Sequence, residues 1–479
     1  MKTFQLTLAL LIYAMMASAQ FSAAKNKIIQ DIDDRQEDYF AVATEIWNFA
    51  EVGYQEEKSS GLLQQHLSEQ GFSIDQGVAD IPTAFVASYG SGSPIIAILG
   101  EYDALPGVSQ TSSPYREKRP EVNAGHACGH HLFGAGSMAA AIETKEWMEE
   151  NDIQGTLRFY GTPAEEGGAG KVYLVRAGLF DDVDAVLHWH PSSSNSAHAA
   201  SSLSNKSAKF RFTGVASHAA ASPWNGRSAL DGVEAMNMMA NMMREHVSSD
   251  SRIHYVITSG GEAPNVVPEF AEVFYYCRHP EMRMVKQNFE WLVEIAEAAA
   301  KGTQTKMEYE VIHGLYNVLP NETLSRVVYE NLSELGGFTY TADEAAYAEK
   351  IIESFEYASN VSLETTKNVA PFKVIRKGAR GSTDVGDVSW AVPTAGLSTA
   401  TWVPGTSAHT WQAVAAGGTS IGKKGMLLAS KAIALSALDL FLSPETLAKA
   451  KEELMQQRGK DFEYEALLGE REPPLDYRK

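Results

Sequence analysis

Three short apolar runs in this chain each lead directly into side chains that can hold a metal ion. Pro94-Ile95-Ile96-Ala97-Ile98-Leu99 runs into Gly100-Glu101-Tyr102-Asp103, and Asp184-Ala185-Val186-Leu187 runs into His188-Trp189-His190-Pro191. Between them, Leu157-Arg158-Phe159-Tyr160 is followed by Thr162-Pro163-Ala164-Glu165-Glu166-Gly167-Gly168-Ala169-Gly170. Runs of this length read as fully buried strands. Helical patterns alternate with them, among them Gly134 to Glu149 and Lys171 to Gly178. The alternation implies an α/β fold, a mixed and mostly parallel sheet covered by helices. Ligands of such sheets sit beyond the carboxyl ends of the strands, so three strand ends of this kind can converge on one site.

The residue types say what that site can do. A hydrolytic metal site needs one carboxylate on the cation and another left free to move a proton, and the adjacent Glu165 and Glu166 can supply both. Cys128 lies in His126-Ala127-Cys128-Gly129-His130-His131, where a thiolate two residues from an imidazole makes a compact metal-binding pair. A disulfide from Cys128 to Cys277 is the alternative for an exported chain with two cysteines. The metal reading is preferred, with Cys277 expected as a small buried hydrophobe. His188 and His190 point to the same face of their strand; one can ligate while the other lines or supports the pocket, and His190, followed at once by Pro191, is taken as the ligand. Asp103 is expected to orient a ligand by hydrogen bonding. His409, in Gly405-Thr406-Ser407-Ala408-His409-Thr410-Trp411, is far along the chain, as a closing ligand brought in by the fold can be.

The start of the chain reads as a secretory leader: Lys2, an apolar run from Leu6 to Met16, then Ala17-Ser18-Ala19 before Gln20. The run is too short for a mature membrane span, so a soluble, exported chain is expected, periplasmic or secreted. A net charge of −20 argues against nucleic acid as partner. With 479 residues, two or three domains are expected. Near Ser204 the pattern changes to strand, helix, two strands, helix, strand, with Ala208 to Thr213 first and Lys306 to Ile312 last. That βαββαβ order is the ferredoxin-like split unit. The expected division is therefore a leader over 1–19, a catalytic domain over 20–204 and 316–479, and an inserted domain over 205–315. The Met236 to Met243 cluster is expected to be helical core, and the charged tail from Gln456 to Lys479 to be peripheral.

Together these motifs, from Glu51-Val52-Gly53-Tyr54-Gln55-Glu56 to His409-Thr410-Trp411, resemble the co-catalytic metallo-aminoacylase and carboxypeptidase family of amidohydrolases. Pro106-Gly107-Val108-Ser109-Gln110 and Ser382-Thr383-Asp384-Val385-Gly386-Asp387 belong to the same likeness. The resemblance implies a zinc-aminopeptidase-like catalytic domain carrying a lid and dimerisation domain. It implies Cys128, His130, Glu166, His190 and His409 as ligands of two divalent ions, zinc or manganese, with Glu165 as general base and acid and Asp103 as the orienting aspartate. The carboxypeptidase branch has histidine where this chain has Glu101. In the lid, His218 would polarise the scissile carbonyl in a partner subunit's site, Asn265 would bind substrate, and Arg278 would meet a substrate carboxylate. A homodimer through the lid is implied, with a second subunit type left open. The substrate class is a small-molecule amide, an N-acyl or aminobenzoyl amino acid with p-aminobenzoyl-glutamate foremost. A dipeptidase or general aminoacylase, and a metal-binding subunit without turnover, are the alternatives. A cysteine hydrolase using Cys128 with His130 is disfavoured by their i, i+2 spacing.

Overall fold

The computed structural model describes residues 22–356, 361–377 and 381–479. The leader read over 1–19 lies outside them. Residues 357–360 and 378–380 lie outside them as well, and Val385–Ala391 is a helix.

In chain order, β1 (Ser73–Gln76), β2 (Phe85–Ser91), β3 (Ile95–Gly100), helix α1 (His130–Glu150), β4 (Gly155–Gly161), helix α2 (Gly170–Arg176) and β5 (Ala185–Ser192) form the first part of the catalytic domain. The inserted domain follows as β6 (Ser204–Thr213), helix α3 (Ala229–Met243), β7 (Arg252–Ser259), β8 (Phe270–His279), helix α4 (Met282–Thr303) and β9 (Lys306–Leu315). Helix α5 (Glu322–Leu335), β10 (Thr394–Ala400) and helix α6 (Ser420–Leu442) return the chain to the first domain. The central sheet has the order β1-β2-β4-β3-β5-β10. Its β4-β3-β5-β10 portion is parallel, and β1 and β2 add antiparallel strands at one edge.

Ile96, Ala97, Ile98 and Leu99 are all wholly buried. Successive strand residues point to opposite faces, so both faces of β3 are covered, the condition under which a parallel strand reads as a continuous apolar run. Helices α1 and α6 pack on each other and on the middle of the sheet, and α5 packs on β10 and α6. Among the described residues α6 is the one helix long and apolar enough to cross a membrane, but 83% of its apolar window is buried inside the domain. It is a core helix.

The lid is an antiparallel sheet in the order β7-β8-β6-β9 with α3 and α4 on one face. Along β8, buried Ala271, Val273, Tyr275 and Cys277 alternate with more exposed residues, the period-2 signature of a sheet covered on one side. The α4 residues Val285, Phe289, Leu292, Ile295 and Ala299 recur at helical spacing and are buried. Each of the larger apolar side chains among them contributes about 1.5–3 kcal/mol by leaving water. Ser228 caps α3, its Oγ accepting the Asp231 N–H at 3.1 Å. The methionine cluster divides: Met236 and Met243 are core, while Met238 and Met242 are 56% and 59% exposed. The tail is not peripheral. Leu467 and Leu468 are buried, and residues 469–478 lie against α2, β9 and the Glu165–Gly168 loop.

Candidate metal centre

The site assembles where β3, β4 and β5 end. Glu101 and Asp103 follow β3, Glu165 and Glu166 follow β4, and His190 lies near the end of β5. Cys128 and His130 flank Gly129, which turns the chain into α1 with φ of 78°. A Cβ on Gly129 would lie 2.6 Å from Pro191 Cβ, so both the left-handed turn and its approach to β5 require glycine here. His409 comes from a loop fixed to the same turn, its N–H donating to Ala127 O at 2.9 Å. It too has positive φ, 63°, a conformation that a non-glycine residue holds only under tertiary constraint.

Cys128 is the hub. Its Sγ lies 3.4 Å from His190 Nε2. His190 Nδ1–H donates to Pro191 O at 2.7 Å, which leaves Nε2 as the nitrogen turned to the thiol. His130 Nδ1 is 2.8 Å from Asp103 Oδ1, and the other Asp103 oxygen accepts the Glu166 N–H at 2.8 Å. Asp103 thus orients one imidazole and the backbone of one carboxylate together. Glu166 Oε1 is 3.2 Å from His409 Nε2.

The donor atoms of Cys128, His130 and His190 lie within 4.8 Å of one another, as do those of Cys128, Glu166 and His409. Two three-donor groups therefore share one sulfur, and their N, S and O donors suit zinc. His130 Nε2 is buried with no partner but Glu101 Oε2 at 3.1 Å, and buried Glu166 Oε1 has none but His409 Nε2. Orphaned buried donors of this kind fit an ion. The cysteines are both free. Cys277 is wholly buried in the lid, among apolar neighbours.

The electrostatics follow from crowding charges out of water. Burial, then the carboxylates Glu101, Glu166 and Asp384, push Glu165 well above the usual carboxylate range. Burial lowers His130, but Asp103 and Glu101 outweigh it and hold the imidazole well above its ordinary value. Burial pushes the Cys128 thiol up, and the hydrogen bond to Glu166 raises His409. Burial takes His188 down to about 4, so this ring is neutral. It packs against Gly396, where a Cβ would collide with the ring, and lines a cavity of about 200 Å³ reaching from His190 to Asn321.

Glu101 leaves Oε2 buried without a hydrogen-bond partner, and with His130 and Glu165 it makes a third group of donor atoms within 4.8 Å of one another. Its Oε1 is 2.6 Å from Lys171 Nζ, which is also 2.8 Å from Asp384 Oδ1. All three side chains are buried, and Asp384 Oδ2 accepts the Lys171 N–H at 2.9 Å. Glu56, pushed up to about 8 by burial and by Asp103, accepts the Ala164 N–H at 2.9 Å and so holds the residue before Glu165. The sequence patterns assign no individual role to Lys171, Asp384 or Glu56.

The lid residues are not gathered into this cluster. His218 and Asn265 share one lid segment, where Ala219 N–H donates to Asn265 O at 3.0 Å. His218 Nδ1 accepts the N–H groups of Ala220 and Ala221. Neither side chain bonds the Cys128 cluster of its own chain. Arg278 stacks over Tyr276 at 5.1 Å, and Tyr276 OH meets His313 Nδ1 at 3.1 Å. His313 Nε2 in turn meets Gly167 O, which places the Arg278 face of the lid beside the Glu165–Gly168 loop.

Residues 97–413 match the model of peptidase family M20/M25/M40. The chain belongs to that family. It is 41% identical over 448 residues to a subunit of the p-aminobenzoyl-glutamate hydrolase of Escherichia coli (strain K12), covering 88% of this chain and 93% of the relative. It is 30% identical over 452 residues to the Xaa-Arg dipeptidase of Mus musculus, covering 91% and 93%. Its fold is shared with a solved dinuclear metal-binding peptidase of the M20 family from Bacillus subtilis, at TM-score 0.59 and 18% identity over 86% of this chain and 99% of the other.

Proposed function

We propose that the protein is a two-metal amidohydrolase that cleaves the amide of an N-acyl or aminobenzoyl amino acid, with p-aminobenzoyl-glutamate the foremost substrate. The observation that carries this reading is the pair of donor groups sharing Cys128 with Glu165 beside them. One ion, zinc or manganese, would be held by Cys128, His130 and His190 and the other by Cys128, Glu166 and His409. Bound there, the ions supply Lewis acidity to the scissile carbonyl and to a nucleophilic water.

The chain's own groups do the rest. Glu165 takes the proton of the attacking water and delivers it to the leaving amine, and its raised pKa suits a group that must hold a proton between the two events. Asp103 keeps the His130 proton on Nδ1 and so keeps Nε2 a donor lone pair. His218 of the partner subunit would donate to the developing oxyanion. Asn265 and Arg278 are the lid groups for the substrate's polar end. A homodimer through the lid is supported by the edge strand β7 and the exposed Met238, Met242, Val256 and Ile257 beside it. The Escherichia coli relative is one subunit of its hydrolase, which leaves a second subunit type open here. The leader-like residues 1–19 support export to the periplasm or beyond.

The test is hydrolysis of p-aminobenzoyl-glutamate beside a panel of N-acyl amino acids and dipeptides, by wild type and Glu165→Gln, metal-loaded and chelated. Metal-dependent cleavage that falls about 10²- to 10⁴-fold in the variant supports the reading. Preference for an Xaa-Arg dipeptide would favour the dipeptidase alternative, and no cleavage of any member would favour a binding subunit.

A further inference from the structure

The loop that carries Glu165 and Glu166 is rich in glycine, with Gly167, Gly168 and Gly170, and Gly167 has φ of 104°. Such a backbone does not fix two carboxylate directions by itself. Three successive carbonyls of the loop are instead held by donors from three separate parts of the molecule. Gly168 O accepts Tyr54 OH at 2.7 Å. Gly167 O meets His313 Nε2, from the lid strand β9 at the point where its pairing with β6 shifts register. Glu166 O accepts both Arg478 Nη2, at 2.8 Å, and Tyr477 OH, at 3.2 Å.

The segment that brings in Tyr477 and Arg478 is itself tied down along its length. Arg176 donates to Gly469 O and Arg471 O at 2.9 and 2.7 Å. Arg471 donates to Val311 O at 2.6 Å and pairs with Glu310 at 3.2 Å, both on β9. Gln55 donates to Leu475 O at 2.8 Å. The Tyr477 ring meets Tyr54 edge-on at 5.6 Å and carries the Arg478 guanidinium over its face at 4.9 Å. A Cβ at Gly53 would run into the Tyr477 hydroxyl, so the Glu51–Glu56 motif is shaped around this ring. All of this segment lies beyond the residues, 97–413, that match the family model.

We propose that Tyr477 and Arg478 are positioning residues for the Glu165–Glu166 pair. They fix the Glu166 carbonyl and so aim Glu166 at Cys128 and His409 and Glu165 at the substrate, while His313 ties the same loop, and Arg471 the tail segment, to the lid. The inference rests on the metal-centre reading above, and its test reads metal uptake and folding as well as activity.

The full-length protein is stripped of metal and titrated with zinc by calorimetry, as wild type, Arg478→Ala, Arg478→Lys and Tyr477→Phe. Steady-state constants and thermal midpoints are taken on the same samples. Losing a charge-assisted hydrogen bond to the loop should lower kcat of Arg478→Ala about 10- to 100-fold with KM within about threefold. The same variant should bind one of its two zinc ions about tenfold more weakly and the other as wild type does. Added guanidinium ion should restore part of kcat, Arg478→Lys should lose less, and Tyr477→Phe, which removes only a hydroxyl, should lose about two- to fivefold. The proposal is overturned if Arg478→Ala and Tyr477→Phe melt lower yet keep kcat and both zinc affinities within about twofold of wild type. It is also overturned if both affinities fall together without guanidinium rescue, the mark of general loosening. Should Arg478→Ala not fold, Tyr477→Phe decides by the same criteria. A wild type that takes up no zinc overturns the metal-centre reading and this inference with it, whereas two zinc ions bound equally by all variants overturns this inference alone.

Discussion

Replacing Lys171 by methionine removes one charge from a site with no access to water. Methionine keeps the length and nearly the volume of the side chain, so cavity effects stay small. Lys171 Nζ stands 2.6 Å from Glu101 and 2.8 Å from Asp384, all three side chains buried. At an effective dielectric of about 20 each contact is worth roughly 6 kcal/mol in Coulomb energy, offset by several kcal/mol of lost hydration per ion. Breaking such an arrangement on one side costs about 3–5 kcal/mol, because the carboxylates left behind are buried without a cation. In wild type, burial raises Glu101, but Lys171, His130 and His190 outweigh it and hold its pKa below the ordinary value. A depressed carboxylate contributes stability that is present above its unfolded pKa, near 4, and is lost as pH falls through the folded value. Burial raises Asp384 even against Lys171. Without the lysine it rises further, and a raised carboxylate costs stability that grows as pH climbs above about 4. Urea unfolding of the metal-free protein should therefore show Lys171→Met destabilised by about 3–5 kcal/mol at pH 7.5, with the gap closing toward pH 4. A deficit under about 1 kcal/mol at pH 7.5, or one that does not change with pH, would show that Lys171 does not hold the two buried carboxylates in their charged forms.

Because Cys128 belongs to both donor groups, Cys128→Ser should weaken uptake of both ions, whereas His190→Ala should weaken one by more than about 100-fold and spare the other. Titration of metal-stripped protein separates the two patterns, and equal effects from both variants would contradict the shared sulfur. Metal uptake should also release protons and strengthen from about pH 6 to 8, since Cys128, His130 and His409 all have raised pKa values in the metal-free protein. Calorimetry in two buffers of different ionisation enthalpy measures the protons released; uptake independent of pH would count against these three as ligands.

The chemistry at the strand ends was legible because a buried parallel strand writes itself as an unbroken apolar run, and whatever follows it stands at the sheet's carboxyl edge. Period-2 reasoning put His188 and His190 on one face, but which of them meets Cys128 depends on the turn at Gly129 against Pro191, a contact between residues far apart in the chain. Lys171 escapes notice because a lysine in a short amphipathic helix reads as its solvated side; only the two buried carboxylates from other elements make it an interior cation. The tail misleads for a similar reason. Its charges suggest a solvated end, yet Tyr464, Leu467, Leu468, Leu475 and Tyr477 recur among them and pack against the core, a spacing that signals a docked segment. In the lid, the methionine cluster reads as one feature although its helix has two faces: Met236 and Met243 face the sheet, and Met238 and Met242 face outward.

Cys128 Sγ belongs to both three-donor groups, so one sulfur is expected to hold two ions. Anomalous diffraction at the zinc edge from zinc-soaked crystals tests it directly. Two peaks are predicted, each about 2.3 Å from Cys128 Sγ, one also bonded to His130 and His190 and the other to Glu166 and His409. A single peak, or a second ion bound away from Cys128, would contradict it.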